Sequence, residues 1–192
     1  TIGQNNTCWL DRNLGATKVA SNTDDTQAYG DLFQWGRLDD GHQIKTSSKT
    51  STRSSTNVPG HSNFITTTNT PYDWRSTKND NLWQGATGNN NPCPSGWRLP
   101  TEAEWNTEIS SWDSQDITGA FASALKLTVA GFRINSDGGL VDVGSFGYYW
   151  SSDVSSTLAI RMGFGSSSSS VGNFLRGSGI SVRCIKDEDV QA

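Results

Sequence analysis

The chain has 192 residues, which is the size of one domain with a substantial core and does not require a second. Hydrophobic residues make up only 33%, but eight Trp, seven Phe and four Tyr can bury a large area. Fifteen basic and nineteen acidic side chains give a formal net charge of -4. Without a basic block we expect no nucleic-acid partner, and without an apolar run of roughly 20 residues we expect no membrane insertion by this domain.

The first half of the chain combines short ordered stretches with polar loops. Residues 8–15 predict a short strand that ends at a glycine turn. The aromatic stretch 29–37 fits a short helix or a strand, and its periodicity does not decide between them. Residues 42–70 predict a long surface loop, which is a secondary candidate for ligand contact. In the segments 71–75 and 81–85 we expect irregular backbone held by buried rings and side-chain-to-backbone bonds.

The clearest local signal is a helix start. Thr101 can accept a hydrogen bond from a backbone N–H of the first turn, while Glu104 returns one to the N–H of Thr101. With Pro100 before it, this capping box predicts a helix over about 102–110. A second, shorter helix is predicted within 117–125, where Gly and Ala permit close packing.

The last third of the chain is rich in strand signals. The segments with β-like composition between turns are 126–133, 140–143, 148–152, 159–164 and 180–185. In the last of them apolar and polar residues alternate, which predicts a strand with one buried face. The serine run 166–170 lies inside this region and therefore indicates an exposed part of the fold, not a linker.

Three cysteines permit at most one disulfide within the chain. We expect Cys93 to pair with Cys184, because one precedes the capped helix and the other ends an alternating strand, so that both lie in ordered segments. Cys8 is then left over. The alternative is three reduced thiols in a cytosolic protein.

Metal and catalytic signals are weak. His42 and His61 lie in the polar loop region without metal-ligand spacing, so we expect both to be solvated. The glutamates of the capped helix lie in its first turn, where capping and the helix dipole favour carboxylates, so they do not indicate a catalytic site. The corners 39–41 and 137–138 are Asp-Gly turns. The alternative interpretation of these two corners is a calcium site. Apart from that alternative, we expect no cofactor and no bound metal.

Three motifs follow one another along the chain: YGDLFQWGR at 29–37, NPCPSGWRLPTEAEW at 91–105, and YWSS at 149–152 with SVRCIKD at 181–187. Together they resemble the Fibrobacter succinogenes major paralogous domain family, a branch of the C-type-lectin-like and formylglycine-generating-enzyme-like folds. The resemblance covers nearly the whole chain in the right order. It implies an α+β fold, C-type-lectin-like, with two helices, a small twisted antiparallel sheet and long ordered loops, forming a single ligand-binding domain over 1–192.

Within that group the chain is most similar to variable proteins of diversity-generating retroelements, in which adenine-directed mutagenesis rewrites Asn codons near the C-terminus. The resemblance places the variable region at about 148–183. The residues reachable from such codons are Leu158, Gly163, Gly165, Ser168, Ser170, Gly172, Phe174, Leu175 and Ser178. Tyr148, Tyr149 and Ile160 complete the predicted ligand contacts, whereas Trp150 and Met162 belong to the scaffold.

The residues themselves support part of this interpretation. Gly163 and Gly165 flank Phe164, and small residues continue at a spacing of two from Ser168, so several positions can share one face of an extended chain. Phe164 and Val171 then point inward. The alternative is a Ser/Gly loop without a selected ligand. Tyr148 and Tyr149 must face opposite sides, and Trp150 is expected in the core.

Formylglycine-generating enzymes share the motif at 97–105, but their chemistry needs a pair of active-site cysteines near the C-terminal strands. Only Cys184 lies there, so we expect no enzymatic activity.

The expected function is a ligand-binding display domain on a bacterial cell surface or phage particle, diversified by a retroelement to bind varying protein or glycan partners. Tyrosines beside Ser and Gly suit such a surface, as they do in antibody paratopes. The alternative is a carbohydrate-binding or adhesion module without diversification. The chain starts at Thr1 without a signal pattern, so we expect a processed or excised extracellular domain. Nothing in the residues sets an oligomeric state.

Overall fold

Short strands, long ordered loops and two helices form this α+β chain, whose residues 1–188 are described by a computed structural model. The strands are β1 Phe33–Gln34, β2 Lys49–Thr50, β3 Phe64–Ile65, β4 Trp97–Arg98, β5 Phe132–Arg133, β6 Leu140–Val141, β7 Gly147–Ser155, β8 Leu158–Phe164, β9 Ser169–Phe174, β10 Gly179–Ile180 and β11 Ile185–Lys186. The α-helices are α1 Glu102–Ser110 and α2 Ile117–Ala122, and short 3-10 helices lie at Gln4–Asn6 and Thr26–Ala28. No helix of the described residues is both long and apolar enough to cross a membrane.

The largest strands form an antiparallel sheet in the order β7-β8-β9. A four-stranded sheet runs β1-β10-β5-β6, β11 pairs with β4, and β2 pairs in parallel with β3. In β7 the register shifts between Trp150 and Val154. Such an irregularity bends a strand locally, and it separates the Gly147–Trp150 part of β7 from the end near Ser155.

Helix α1 begins where its capping box predicts. The Thr101 hydroxyl accepts from the Glu104 N–H, and the Glu104 carboxylate accepts from the Thr101 N–H at 2.7 Å. Arg98 donates two bonds to the same carboxylate, at 2.8 and 2.9 Å, and this ties β4 to the helix. The second helix is capped by Asp116, which accepts from two backbone N–H groups of the first turn.

Buried residues pack on both faces of the β7-β8-β9 sheet. On one face Tyr149, Met162 and Phe164 join a cluster with Trp105 of α1, and Val171 packs against it. On the other face Trp150 belongs to a second cluster that includes residues of the loop-rich half. Trp150, Met162 and Phe164 are therefore scaffold residues, as the sequence predicts.

Buried indoles hold the irregular segments together by donating to backbone carbonyls. These pairs are Trp35 to Ser151, Trp74 to Trp35, Trp83 to Arg37, Trp105 to Trp150, and Trp150 to Phe33. Each bond lies between 2.7 and 3.1 Å. An indole that fills the core can also donate its N–H to a backbone carbonyl that no neighbouring strand pairs, and it thereby stabilises irregular backbone. This confirms the expectation for the segments around Trp74 and Trp83.

Two predicted elements are corrected. The loop 42–70 contains the parallel pair β2–β3, of which β3 is buried, and the side chain of Gln34 bonds the N–H and carbonyl of Ile65. Residues 180–185 do not form a single strand with one solvent-exposed face, because all six are buried. The polar members are paired inside: Arg183 donates to Asn13 at 2.8 Å and to the carbonyl of Leu125 at 2.6 Å.

The disulfide Cys93–Cys184 is present, with its Cα atoms 5.9 Å apart. Its half-cystine Cys184 is completely buried in the second cluster, and Cys93 packs against that cluster. Cys8 is the free cysteine of residues 1–188. The predicted pairing is thus confirmed, and a disulfide suits a non-reducing environment.

His42 is not solvated, contrary to the prediction. It is completely buried, accepts a bond from the Gln34 N–H at 3.0 Å through Nε2, and contacts the Asp40 carboxylate at 2.6 Å through Nδ1. The imidazole therefore joins β1 to the following loop. Its burial could not be read from a polar segment, because the neighbours that cover it, such as Phe33 and Arg133, come from other strands.

We expect His42 to make stability depend on pH between about 6.5 and 4. Burial lowers the pKa of His42 to about 4, although the hydrogen bond to Asp40 opposes this shift. The unfolded chain then binds the proton more tightly, so the stabilisation is complete above pH 6.5 and is lost as the pH falls toward 4. Urea unfolding of wild type and His42→Gln across this range should show a smaller loss of stability in the variant. The exposed His61, replaced by Gln, is the control, and identical pH slopes in all three proteins would contradict the assignment.

Candidate ligand-binding face

Strand register brings the predicted small residues onto one side of the β7-β8-β9 sheet. Tyr148 pairs with Gly163, which pairs with Ser170, and Arg161 pairs with Gly172. Opposite residues of an antiparallel ladder share a face. Gly165 and Ser168, just beyond the ladder, line the same depression as Tyr148 and Ser170. We define the outer face as Tyr148, Arg161, Gly163, Gly165, Ser168, Ser170, Gly172 and Phe174.

A stack of aromatic rings forms one end of the outer face. Phe146, just before β7, stacks on Tyr148 with ring centroids 6.0 Å apart, and Tyr148 stacks on Phe174 at 5.7 Å. Phe132 meets both Tyr148 and Phe174 edge-on, at 5.4 and 5.3 Å. Phe146 is 41% exposed and Tyr148 is half-buried. The rings therefore offer a rigid surface that loses little entropy on binding.

The Tyr148 ring is fixed at its polar end. Its hydroxyl donates to the Asp142 carboxylate at 2.9 Å. Burial and this bond together raise the pKa of Tyr148 to about 12, so the phenol stays neutral and its ring position is set by the turn that carries Asp142.

Arg161 lies at the centre of the outer face. Its guanidinium stands over the Tyr148 ring at 5.4 Å and the Phe174 ring at 5.8 Å, which is cation–π distance. One nitrogen is 3.3 Å from the Ser170 carbonyl and hydroxyl. A shallow depression of about 90 Å³ opens beside it, lined also by Phe146, Gly163 and Ser168.

Three glycines of the outer face are not required by backbone conformation. Gly163, Gly165 and Gly172 are absent from the positive-φ glycines of the chain. A Cβ on Gly172 would meet nothing within 4 Å. On Gly163 it would meet the Arg161 guanidinium and the Tyr148 ring, and on Gly165 the exposed Phe146 ring, all of them side chains. These positions can accept larger residues if the neighbouring side chains shift.

Glycines of the surrounding frame behave differently. A Cβ on Gly147 would lie 2.6 Å from the Thr128 carbonyl oxygen and 2.3 Å from the buried Phe164 ring. On Gly177 it would lie 2.6 Å from the carbonyl oxygen of Tyr72. Backbone cannot move aside as a surface side chain can, so these glycines are needed where those of the outer face are not.

The twelve predicted ligand contacts fall into three groups, according to their position on the sheet and their burial. Seven of them, Tyr148, Gly163, Gly165, Ser168, Ser170, Gly172 and Phe174, lie together on the outer face. Leu158 and Leu175 are half-buried at the opposite end of the hairpin from its Ser166–Ser168 turn.

The remaining three predicted contacts are corrected, because their side chains are buried. Tyr149 is fully buried, and its hydroxyl accepts from the Thr128 N–H at 2.8 Å. Ile160 is 6% exposed, and Ser178 is 1% exposed beside Asn135. Tyr148 and Tyr149 face opposite sides of the sheet, as predicted, and α1 covers the side of Tyr149.

Sequence reasoning missed Arg161 and Phe146. Arg161 could have been found, since it precedes Gly163 by two residues and so shares its face in an extended strand. Phe146 lies outside the strand, and its stacking on Tyr148 depends on the turn before β7.

The two Asp-Gly corners are occupied by contacts within the chain. Asp40 accepts from Arg37 and contacts His42, Asp39 accepts from Gln43, and Asp137 accepts from the N–H of Gly139. Within residues 1–188, no three His, Cys, Asp or Glu side chains come together in a group that could hold a metal ion.

Comparison of the chain with protein-family models, with curated proteins and with solved structures finds no match. The inference of function therefore depends on the motifs of the sequence and on the geometry of the outer face.

Proposed function

We propose that this chain is a ligand-binding display domain of a bacterial or phage surface protein, with the C-type-lectin-like fold and with the outer face as its ligand surface. It resembles the variable proteins of diversity-generating retroelements, and diversification would act on this face. One observation carries the proposal: six of the nine positions expected to vary share the side of the sheet that faces away from α1, where Ser168 and Ser170 are exposed, Gly172 and Phe174 are half-buried, and Gly163 and Gly165 are buried. They are Gly163, Gly165, Ser168, Ser170, Gly172 and Phe174.

The geometry of the glycines supports the proposal. A surface that changes its residues must have a backbone that does not depend on any one of them. Gly163, Gly165 and Gly172 meet this condition, while Gly147 and Gly177 in the frame do not. The aromatic stack adds a fixed component beside the changeable one, a combination that suits recognition of varied partners.

The frame around the face supports an extracellular role. The disulfide ends at Cys184, immediately after the buried Arg183, and therefore anchors the segment that follows the outer face. Disulfides persist in oxidising compartments. Together with the two helices and small antiparallel sheets, this agrees with the fold that the motif resemblance implies.

The experiment is a pair of surface-display libraries. The first randomises Ser168, Ser170 and Gly172, and the second randomises the interior positions Ile160, Met162 and Ser178. We expect most members of the first library to unfold cooperatively, within about 1 kcal/mol of the parent, because surface substitutions rarely cost more. Most members of the second should lose folding, because they alter close-packed core. Thermal unfolding of purified clones makes the comparison.

Binding completes the test. Selection of the outer-face library on several unrelated proteins should return a different set of residues for each target. A library whose members fold no better than the interior library, or that returns no binder to any target, would contradict the proposal. Binding to a glycan array that is abolished by Tyr148→Ala but indifferent to the randomised positions would favour the carbohydrate-binding alternative instead.

A further inference from the structure

Arg161 has no anionic partner among residues 1–188. The ion pairs of that part of the chain all involve other side chains. Its Nε is buried and has no hydrogen-bond partner in that part of the chain. Arg161 is half-buried, so its charge is incompletely solvated. Burial accordingly lowers the pKa of Arg161, with a smaller opposing effect of Tyr148. Such a group gains from a carboxylate that reaches it.

The surroundings of Arg161 hold its guanidinium in place. Tyr148 and Phe174 stack on it, and Ser170 accepts from its Nη1. Gly172, which pairs with Arg161, leaves open space above β9, whereas the Arg161 guanidinium and the Tyr148 ring fill the space above Gly163. A planar donor fixed over aromatic rings recognises a carboxylate with little further loss of entropy.

The sheet edge indicates what kind of partner carries the carboxylate. At β7 the edge is closed, because Tyr149 bridges Ser181 and the Trp150 N–H donates to the Ser181 carbonyl at 3.1 Å. At the other edge β9 is the last strand of its sheet. Its sequence, SSVGNF, has neither the charges nor the proline that usually protect an edge. Backbone groups of alternate β9 residues are thus directed away from β8.

On the basis of the proposed function, the geometry points to an extended acidic peptide segment of a protein partner as the ligand, added as a strand beside β9 with an Asp or Glu side chain on Arg161. A strand added there lies about 4.8 Å beyond β9. The Arg161 guanidinium already reaches over β9 to Ser170, so a carboxylate from the added strand can meet it. Backbone pairing supplies affinity, and the carboxylate supplies selectivity.

The experiment selects ligands from a display library of random 12-residue peptides. The protein is offered as wild type, as Arg161→Gln, and as Arg12→Gln, which removes an exposed arginine elsewhere on the chain. We expect the wild type and Arg12→Gln to enrich peptides with Asp or Glu next to an apolar residue, and Arg161→Gln to lose that enrichment. Thermal midpoints of the three proteins show whether each is folded, and Arg161→Lys, which keeps the charge but not the planar fork, should retain only part of the preference.

Synthetic peptides from the selection then test the pair directly. Changing the selected Glu to Gln should weaken binding to wild type about tenfold or more, and should change binding to Arg161→Gln much less, which is the coupling of a contacting pair. In an added strand only every second peptide amide faces β9, so N-methylation should abolish binding at one alternating set of amides and not at the other. The inference is overturned if the Glu to Gln change weakens binding equally in wild type and Arg161→Gln, or if N-methylation has no effect at either set of amides. It is also overturned if the protein selects no peptide and instead binds sialylated glycans through Arg161.

One further variant separates this inference from the proposed function. Gly172→Trp places an indole on the outer face while the arginine at position 161 is kept, and a Cβ at position 172 meets nothing within 4 Å. If Gly172→Trp blocks the selected peptides while acidic residues and Arg161 play no part, the face binds ligands but the acidic-peptide inference fails. If Gly172→Trp also changes nothing, the outer face is not the binding surface, and the proposed function fails with it.

Discussion

Replacement of both Cys93 and Cys184 by Ala is expected to lower the free energy of unfolding by about 4 kcal/mol, because a long loop is released in the unfolded chain. The two cysteines are separated by 91 residues. In the folded protein the bond joins the segment before β4 to the segment between β10 and β11. Its loss also leaves a gap around position 184, which is completely buried.

The measurement is urea unfolding of the wild type with and without reductant, and of the double variant. Cys8→Ser is the matched control, since Cys8 is free and half-buried, and it should behave as wild type does under both conditions. A double variant within about 1 kcal/mol of wild type would show that packing alone holds the C-terminal segment. The expected result would instead make the oxidised state necessary for the frame that carries the outer face.

Local signals predicted the elements whose causes are local. The helix α1 begins at its capping box because Thr101 and Glu104 satisfy each other's backbone groups within one turn. The outer face could be derived from alternation, since residues two apart in β8 and β9 share a side wherever the chain is extended. Hydrogen bonds from buried rings to the backbone were predicted, but the carbonyl that accepts from each indole could not be, because the partners come from distant parts of the chain.

What the sequence could not predict depends on which element covers a given side. Tyr148 and Tyr149 are equivalent as neighbours in a strand, and only the packing of α1 against Tyr149 decides that Tyr148 is the accessible ring. His42 stands in a polar run, yet partners from β1 and from Arg133 enclose it. Residues 180–185 looked half-exposed because buried arginine and serine are uncommon, and Arg183 is satisfied there by distant Asn13.

Replacement of Trp150 by Ala is expected to lower the free energy of unfolding by about 4 kcal/mol, the usual cost of deleting a large buried ring. Trp150 is completely buried, and its indole N–H donates to the Phe33 carbonyl at 2.7 Å. Trp150→Phe keeps most of the volume but loses that bond, so it should cost about 2 kcal/mol. Chemical denaturation of the two variants and wild type gives the comparison.

The Trp150 variants also test whether frame and face are separable. Trp150 lies on the same side of the sheet as the outer face, beside it, and its ring meets Phe174 edge-on at 6.0 Å, while Phe174 in turn stacks on Tyr148. Tyr148→Ala is the matched control, because it removes a neighbouring ring that is half-exposed, and it should cost clearly less stability than Trp150→Ala while reducing ligand selection more than Trp150→Phe does. If Tyr148→Ala destabilises the protein as much as Trp150→Ala, the aromatic stack belongs to the core, and the boundary between frame and ligand surface must be moved outward to the Ser and Gly positions of β9.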